Sequence, residues 1–498
     1  MKKALILLFM LCSVAVAEEK AVGETSQPTL TIYNQNFFVA RERFSLDLKP
    51  GPNRVEYAGI AAHLEPDSVI LRDPAGRALQ ILEQNYRNDP ISQELLLSFY
   101  EGKTIDFVIG QNGDKQITAP GRIVRSGYVP SPQYNTGYSQ PAYSQPIIEM
   151  NGVLRFGLPG QPLFPALTAG SILKPTLSWL LQTTAPGKSD AEISYVSSGM
   201  SWQADYNLVV SSQPNSKGDL LDMIGWITMH NQSGKTYEDA RIKLMAGDVN
   251  KIQEGTVAGR VYAASKAMEM DAAAPVVREK SFDEFHLYTL ERPTTLHDQE
   301  TKQVEFVRAT SIRAQRIYVY DGANLDQYGY YNPDQVRQDA SYGTLSNSKI
   351  WVMEEFKNSD TNHLGIPLPK GKLRFYRADT DGHLEFVGEN VIDHTPKDET
   401  IRVNTGNAFD VVGERKRTNF RVDSSQHWMD ESFEIRIRNH KKDAANVRVV
   451  EHLYRCANWK LSEQSHPSHK MDSHTVELPV TVAADGEAVV TYTVHYSW

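Results

Sequence analysis

The tetrapeptide Ser233-Gly234-Lys235-Thr236 is the part of this chain that most resembles a chemical motif. A phosphate-binding loop ends in the same way, with backbone amides and a lysine that hold phosphate oxygens. That loop also requires an earlier glycine at the position of Met229, and a helix that follows it. The surrounding residues instead predict a loop between two strands.

Two segments contain side chains of the types that ligate metal ions. Asp379 and Asp381 precede a glycine as in half of a calcium loop, but Leu384 stands where a further acid is needed. A hairpin turn is the expected structure there. Three histidines near Cys456 suggest zinc, but no Cys-x-x-Cys pair or helical His-x-x-x-His pair supports it; they are His466, His469 and His474. We expect them in exposed loops.

Nucleophiles and paired carboxylates are also incomplete. The segment around Ser201 departs from a nucleophile elbow because Gln203 replaces the second glycine. Glu354 and Glu355 are adjacent, so in a strand they point to opposite faces and cannot flank one bond. The sequence therefore assigns no catalytic residue, no cofactor-binding residue and no metal ligand, and it predicts no cofactor.

The first seventeen residues predict export. Lys2 and Lys3 precede an apolar run, 4–17, that closes on Ala-Val-Ala. This is the order of a signal peptide, with cleavage between Ala17 and Glu18, and the run is too short to span a bilayer. No later segment has the ~18 apolar residues of a helical span, so we expect no transmembrane helix after cleavage.

Charge and cysteine content narrow the partners and the compartment. Removal of residues 1–17 leaves 50 basic against 61 acidic residues, which disfavours a nucleic-acid or anionic-membrane partner. The basic run Arg415-Lys416-Arg417, with Arg421, is therefore expected to be a solvated loop. Cys12 leaves with the signal, so Cys456 has no intramolecular disulfide partner. Export without a disulfide favours a bacterial envelope, either periplasmic or extracellular.

The elements that position these side chains are mostly strands. Short stretches of period-two alternation are separated by Gly, Pro and Asp-Gly turns, which predicts an all-β fold of multi-domain antiparallel β-sandwich or barrel modules with a few short helices and long polar loops. One helix is expected with Asp89 as cap, Pro90 at its start and Ile91, Leu95 and Phe99 on one face. The chain is expected to end in a hairpin that turns at Asp485-Gly486.

Composition divides the chain into segments. After the signal peptide at 1–17, an N-terminal β domain covers 18–125, and a loop or linker rich in Tyr, Ser, Gln and Pro covers 126–150. A C-terminal β domain covers 151–498, with insertions at 251–303 and 324–348 that lack a clear period.

Pro369 and Gly371, where we expect a positive φ, predict a tight reversal before a strand.

The C-terminal part resembles a known bacterial family, the domain of unknown function 4139 family, whose relatives include mucoidy-inhibitor-like proteins. The resemblance rests on the order of several blocks: GMSWQADYNL at 199–208, HNQSGKTYEDARIKL at 230–244, LPKGKLRFY at 368–376, FVGE at 386–389 and SFEIRIRNHK at 432–441. It covers roughly residues 176–498, and the opening is similar to the β region that precedes this domain in relatives. The resemblance implies an all-β envelope protein and no reaction.

Three functions follow from these observations. The first is a non-catalytic binding or assembly module whose partner is an envelope protein or glycan. The second is an envelope hydrolase with a site formed by residues distant in sequence. The third is an outer-membrane β-barrel, because the aromatic C-terminus with alternating apolar residues is similar to a barrel insertion signal.

Overall fold

A computed structural model describes residues 19–21, 26–88, 91–113, 115–128, 145–165, 172–184, 186–210, 218–247, 249–251, 277–282, 284–323, 325, 332–379 and 381–498. The predicted signal peptide, with Ala17 and Glu18, lies outside these residues, as do Asp89 and Pro90. Most of the predicted linker and residues 252–276 of the first insertion are also outside.

Strands dominate the described residues. In the first half they are β1 (Glu19–Ala21), β2 (Thr29–Tyr33), β3 (Phe37–Leu48), β4 (Gly51–Ala58), β5 (Ile70–Arg72), β6 (Gln80–Arg87), β7 (Thr104–Asn112), β8 (Lys115–Arg125), β9 (Ile147–Met150), β10 (Val153–Phe156), β11 (Gln161–Leu163), β12 (Thr176–Thr183), β13 (Gly187–Ser198), β14 (Met200–Val210), β15 (Asp219–Asn231) and β16 (Tyr237–Ala246).

The second half continues the same pattern. Its strands are β17 (Val277–Phe282), β18 (Phe285–Leu290), β19 (Thr294–Leu296), β20 (Glu300–Asp321), β21 (Trp351–Lys357), β22 (Gly371–Ala378), β23 (Leu384–Ile392), β24 (Thr400–Asn407), β25 (Val411–Asp423), β26 (Trp428–Asn439), β27 (Ala445–His452), β28 (Asn458–Gln464), β29 (His469–Lys470), β30 (Thr475–Val482) and β31 (Gly486–Ser497). The helices are α1 (Gln93–Phe99) and α2 (Pro333–Gln338), with 3₁₀ turns at Pro66–Ser68 and Asp360–Asn362.

Within the described residues the strands form five sheets, most of whose pairs are antiparallel. Their orders are β1-β4-β12-β6; β10-β9-β8-β7-β11; β17-β18-β16-β2-β3-β13-β5; β23-β22-β14-β15-β20-β27-β30-β29, to which β21 and β24 attach; and β25-β26-β31-β28. The prediction of an all-β fold with antiparallel sheets and short helices is confirmed.

The buried apolar side chains among the described residues form three hydrophobic cores. The first core, which includes Leu30, Trp179 and Tyr206, is enclosed by the sheets of β4, β3 and β14. The second core, which includes Ile435 and Val490, lies between the β25-β26-β31-β28 sheet and the far half of the longest sheet. The third core is small and belongs to the β7–β11 sheet and α1. Because β20 contributes to the first two cores, the longest sheet joins them.

The sheets combine strands from both sides of the predicted domain boundaries at residues 125 and 151. β2 pairs in parallel with β16, and β3 pairs with β13 along its full length. β12 lies between β4 and β6. Alternation identifies a strand and its buried face but not its partner, so these long-range pairings could not be predicted from it.

The expected C-terminal hairpin is wrong. β30 pairs with β27 and β29, whereas β31 pairs with β26 and β28, so the turn at Asp485 carries the chain from one sheet to the sheet that faces it. Two alternating strands joined by a short turn bury their apolar faces equally well across a sandwich as within one sheet. The apolar pattern alone therefore does not distinguish the two arrangements.

Local predictions differ in three further places. α1 begins later than expected, because the Ser92 side chain accepts the Leu95 amide as N-cap; Leu97 is buried and Phe99 is exposed. The described part of 251–303 contains β17, β18, β19 and the start of β20, so it is not a structureless excursion. Gly371 does not have the expected positive φ. A glycine is needed there because a Cβ would lie 2.2 Å from the carbonyl oxygen of Ala204.

Candidate functional site

A pocket lies where the second core meets residues 332–348, which we call the cover segment. Asn332 caps α2 through a capping box, which gives this segment a regular start. Its charged or titratable lining includes Arg415 of β25, Glu431 of β26, His452 at the end of β27, and Arg455, which follows β27. The pocket thus brings together charged side chains that are far apart in sequence.

Arg415 forms the inner wall of this pocket. Its Nε and Nη2 donate to the carboxylate of Glu451 at 2.8–3.0 Å, and its guanidinium lies 3.9 Å from the ring centroid of Phe433. Burial opposes the charge of Arg415, but the attraction of Glu451 outweighs it and raises the pKa of the guanidinium. Its Nη1 donates to the carbonyl of Gly343 in the cover segment at 2.7 Å.

Arg455 is bonded even more completely. Its Nε donates to Glu431 Oε2 at 3.1 Å, and its Nη2 donates to Glu431 Oε1 at 2.7 Å and to the carbonyl of Tyr342 at 2.8 Å. Its Nη1 donates to the carbonyls of Val336 and Asp339 at 2.6 and 2.8 Å. A guanidinium has five N–H donors, so none remains for a ligand. Arg455 therefore anchors the cover segment.

His452 completes the polar wall. Its Nε2 lies 2.9 Å from Asp321 Oδ2, and its ring stacks on Tyr454 with 5.3 Å between centroids. The hydrogen bond with Asp321 raises the pKa of His452 above the usual value, although burial works in the opposite direction. The contact with Asp321 therefore favours the charged form of His452.

The expected solvated loop at 415–417 is wrong. These residues lie on β25, and Arg415 faces the second core on the same side of the strand as Val411. Arg417 pairs with the buried Glu431 at 3.3 Å, while Arg421 is exposed. Arg415 and Arg455 together hold the polar cover segment against the second core through hydrogen bonds to its carbonyls.

The Ser233–Thr236 loop connects β15 to β16, as expected. Lys235 Nζ lies 2.8 Å from both carboxylate oxygens of the buried Glu42 and stands over the rings of Tyr57 and Tyr237. Glu42 also accepts hydrogen bonds from two tyrosine hydroxyls. The lysine is therefore part of a buried ion pair that joins β3 to this loop.

The other residues that the sequence analysis weighed as motifs lie in turns, strands or hydrogen bonds within the fold. The described part of 379–382 forms the expected turn between β22 and β23, with the Gly382 amide donating to the Asp379 carbonyl. Ser201 lies in β14, where Trp202 and Tyr206 are buried. Cys456 Sγ donates to the Ser497 carbonyl at 3.0 Å. Among the described residues no group of three or more His, Cys, Asp or Glu could hold a metal ion.

Glu354 and Glu355 lie in β21 on opposite faces, as predicted. Glu354 is 2% exposed and faces Arg316, whose Nε donates to its Oε1 at 3.2 Å. Burial raises the pKa of Glu354 to about 7, and Asp219 adds to this rise. Sequence reasoning missed this cluster, although Glu354 shares its strand face with the core residue Phe356.

The β7–β11 sheet has an unusual balance of apolar residues. Its core contains five buried residues: Leu97, Ile105, Phe107, Ile123 and Ile148. Among the described residues between 91 and 165, eight large apolar side chains are exposed: Phe99, Ile109, Ile117, Val124, Val153, Leu154, Phe156 and Leu163. Three of them lie in the four-residue strand β10, where Val153, Leu154 and Phe156 are 59%, 58% and 75% exposed. We call β10 and these three side chains the apolar edge.

Comparisons with known proteins do not place the chain in a family. No family model matches it, and no curated protein is significantly similar to it. In the parts of the chain described above, no helix is both long enough and apolar enough to span a membrane.

Proposed function

We propose that this chain is an exported bacterial envelope protein that acts as a non-catalytic binding or assembly module. Its partner is an envelope protein that docks on the apolar edge. The observation that carries this proposal is the excess of exposed over buried apolar side chains in the β7–β11 sheet. Large apolar patches on a folded surface mark interaction sites.

The geometry of β10 favours a protein partner. Among the described strands β10 pairs only with β9, so its second edge offers backbone donors and acceptors to an added strand. Leu154 and Phe156 are two residues apart and lie on one face, next to a neighbouring strand that holds Ile147 opposite Phe156. A partner strand with apolar residues at alternate positions would cover both.

The best-formed polar site supports binding over catalysis. Arg455 has given all five donors to protein groups, and Arg415 is held by Glu451 and the cover segment. Glu354, the carboxyl with the raised pKa, is 2% exposed, so a substrate cannot reach it. The resemblance to the domain of unknown function 4139 family, with the leader-like first residues, supports the envelope location.

A photocrosslinking experiment tests the proposal. Benzoylphenylalanine placed at Phe156 in the native bacterium should crosslink to one defined envelope protein. The matched control is the same group at Phe409, which is 94% exposed and lies between β24 and β25. Crosslinking at Phe156 and not at Phe409 supports docking at the apolar edge, and Phe156→Ser should abolish co-purification of that protein without lowering the melting temperature.

Three outcomes would count against the proposal. Equal crosslinking at both positions would mean that the apolar edge is not a specific site. Crosslinking only to polysaccharide would replace the protein partner with a glycan. Turnover of an envelope glycan or peptide by the purified protein, lost on changing one accessible side chain, would establish the hydrolase instead. N-terminal sequencing of fractionated protein should read Glu18, and an intact Met1 in the cytoplasm would contradict export.

A further inference from the structure

A row of charged residues separates the first core from the second on the longest sheet. In the antiparallel pair of β20 and β21, Ala314 lies opposite Phe356, and both belong to the first core. Further along, Tyr318 lies opposite Val352 and both contact the second core. The residue pair between them, on the same face, is Arg316 and Glu354. We call this pair and its charged neighbours the seam.

Charged groups from four strands meet at the seam. Asp219 of β15 accepts hydrogen bonds from Arg316 Nη2 at 2.6 Å and from Arg377 Nη2 at 2.9 Å. Arg377 of β22 also lies 3.7 Å from Glu354 Oε1. The strand on the other side of β21 contributes the apolar Val403 opposite Glu354. Two arginines and two carboxyls, of which Glu354 is the most buried, therefore contact one another at the seam.

One oxygen of Glu354 is the exception in this cluster. The side chain is 3% exposed, and its Oε2 is buried with no hydrogen-bond partner. A buried carboxylate oxygen without a donor is costly, whereas a protonated carboxyl can itself donate a hydrogen bond. Asp219 is the carboxylate available as acceptor for such a proton, because both carboxyls contact Arg316 and Arg377. A hydrogen bond between the two carboxyls would favour the protonated form of Glu354.

We propose that Glu354 and Asp219 form a carboxyl pair that holds one proton at the seam and loosens the contact between the two cores when that proton leaves. Burial raises the pKa of Glu354 to about 7, so the change falls in the neutral range. The ionised fraction rises from about one tenth at pH 6 to about nine tenths at pH 8. The burial of Glu354 does not prevent this change, because only a proton has to reach the carboxyl.

The direction of the pH effect follows from the raised pKa. A carboxyl that is harder to ionise in the folded protein than in the unfolded chain stabilises the fold at low pH and loses that contribution as pH rises through the folded value. The pKa of Glu354 is raised from an ordinary value of 4.5 to about 7. For this shift the folding equilibrium constant should fall about tenfold between pH 6 and pH 8. The amides of β20 and β21 lie beside the seam and should report this loss.

The test combines infrared spectroscopy with hydrogen exchange on the full chain. Wild-type protein should show the carbonyl band of a buried carboxylic acid that disappears between pH 6 and pH 8. Over the same range, protection of the β21 amides, corrected for intrinsic exchange, should fall about tenfold. Glu354→Gln should remove both changes, and the matched control Glu355→Gln, on the opposite strand face, should retain them.

Asp219→Asn provides a second variant that does not depend on the behaviour of Glu354→Gln. Loss of the Asp219 charge and of its hydrogen bond should move the infrared transition to lower pH, because both raise the pKa of Glu354. Absence of the carboxylic acid band in wild type at pH 6, its persistence in Glu354→Gln, or an unmoved transition in Asp219→Asn would each overturn the proposal.

Discussion

Replacement of Arg455 by methionine should release the cover segment and destabilise the second core. The change removes two hydrogen bonds to Glu431 and three to backbone carbonyls, of residues 336, 339 and 342. Glu431 is 3% exposed, and among the described residues it would retain the pairing with Arg417 at 3.3 Å. Removing one partner of a buried ion pair costs about 3–5 kcal/mol, so we expect a loss of about 4 kcal/mol in the free energy of unfolding.

The local effect can be measured separately from the global one. Arg337 lies within α2 of the cover segment, so trypsin cleavage after Arg337 reports release of this segment. Arg455→Met should be cut there faster than wild type under native conditions, and urea titration should give the global loss. The matched control is Arg438→Met, because Arg438 pairs with Glu414 at the surface and should change neither measurement appreciably. A loss below about 1 kcal/mol, or equal effects of the two variants, would refute the assignment of Arg455 as an anchor.

Two other predictions concern the second core and the longest sheet. In urea titrations, His452→Asn should destabilise the protein more at pH 6 than at pH 8. The reason is that the pKa of His452 is raised beside Asp321, which gives stability that is lost as pH rises through the folded value. A pH-independent effect would contradict this. Gly371→Ala should lower the melting temperature strongly, because the new Cβ would clash with the Ala204 carbonyl. Gly110→Ala should have a small effect, because the atom nearest to its new Cβ is a side-chain carbon at 3.9 Å. Equal melting temperatures of the two variants would show that the strand pair adjusts.

Strand content and buried faces could be predicted because they follow from local alternation. β26 is a clear case, since every second residue from Met429 to Asn439 is buried. The partners of each strand could not be predicted, because many strands present the same apolar face. The parallel pairing of β2 with β16 joins segments about 200 residues apart, and no local signal specifies it.

The polar clusters were missed for a different reason. Arg415 and Glu354 are charged residues at inward positions of alternating strands, four residues after Val411 and two before Phe356. Their position in the alternation was available, but charged residues are seldom buried unless a partner is present. The partners Glu451 and Arg316 are supplied by strands distant in sequence, so the burial became evident only with the fold.

The 22-residue strand β20 has a consequence for the order in which the chain can fold. Its first part pairs with β15, which precedes it, whereas its last residues pair with β27, which follows more than a hundred residues later. During synthesis the edge of β20 that pairs with β27 stays unpaired until β27 has been made. Unpaired strand edges bind other chains. The vulnerable species is therefore the unfinished chain, and we expect aggregation of truncated products that end before Ala445, even where the complete protein is soluble.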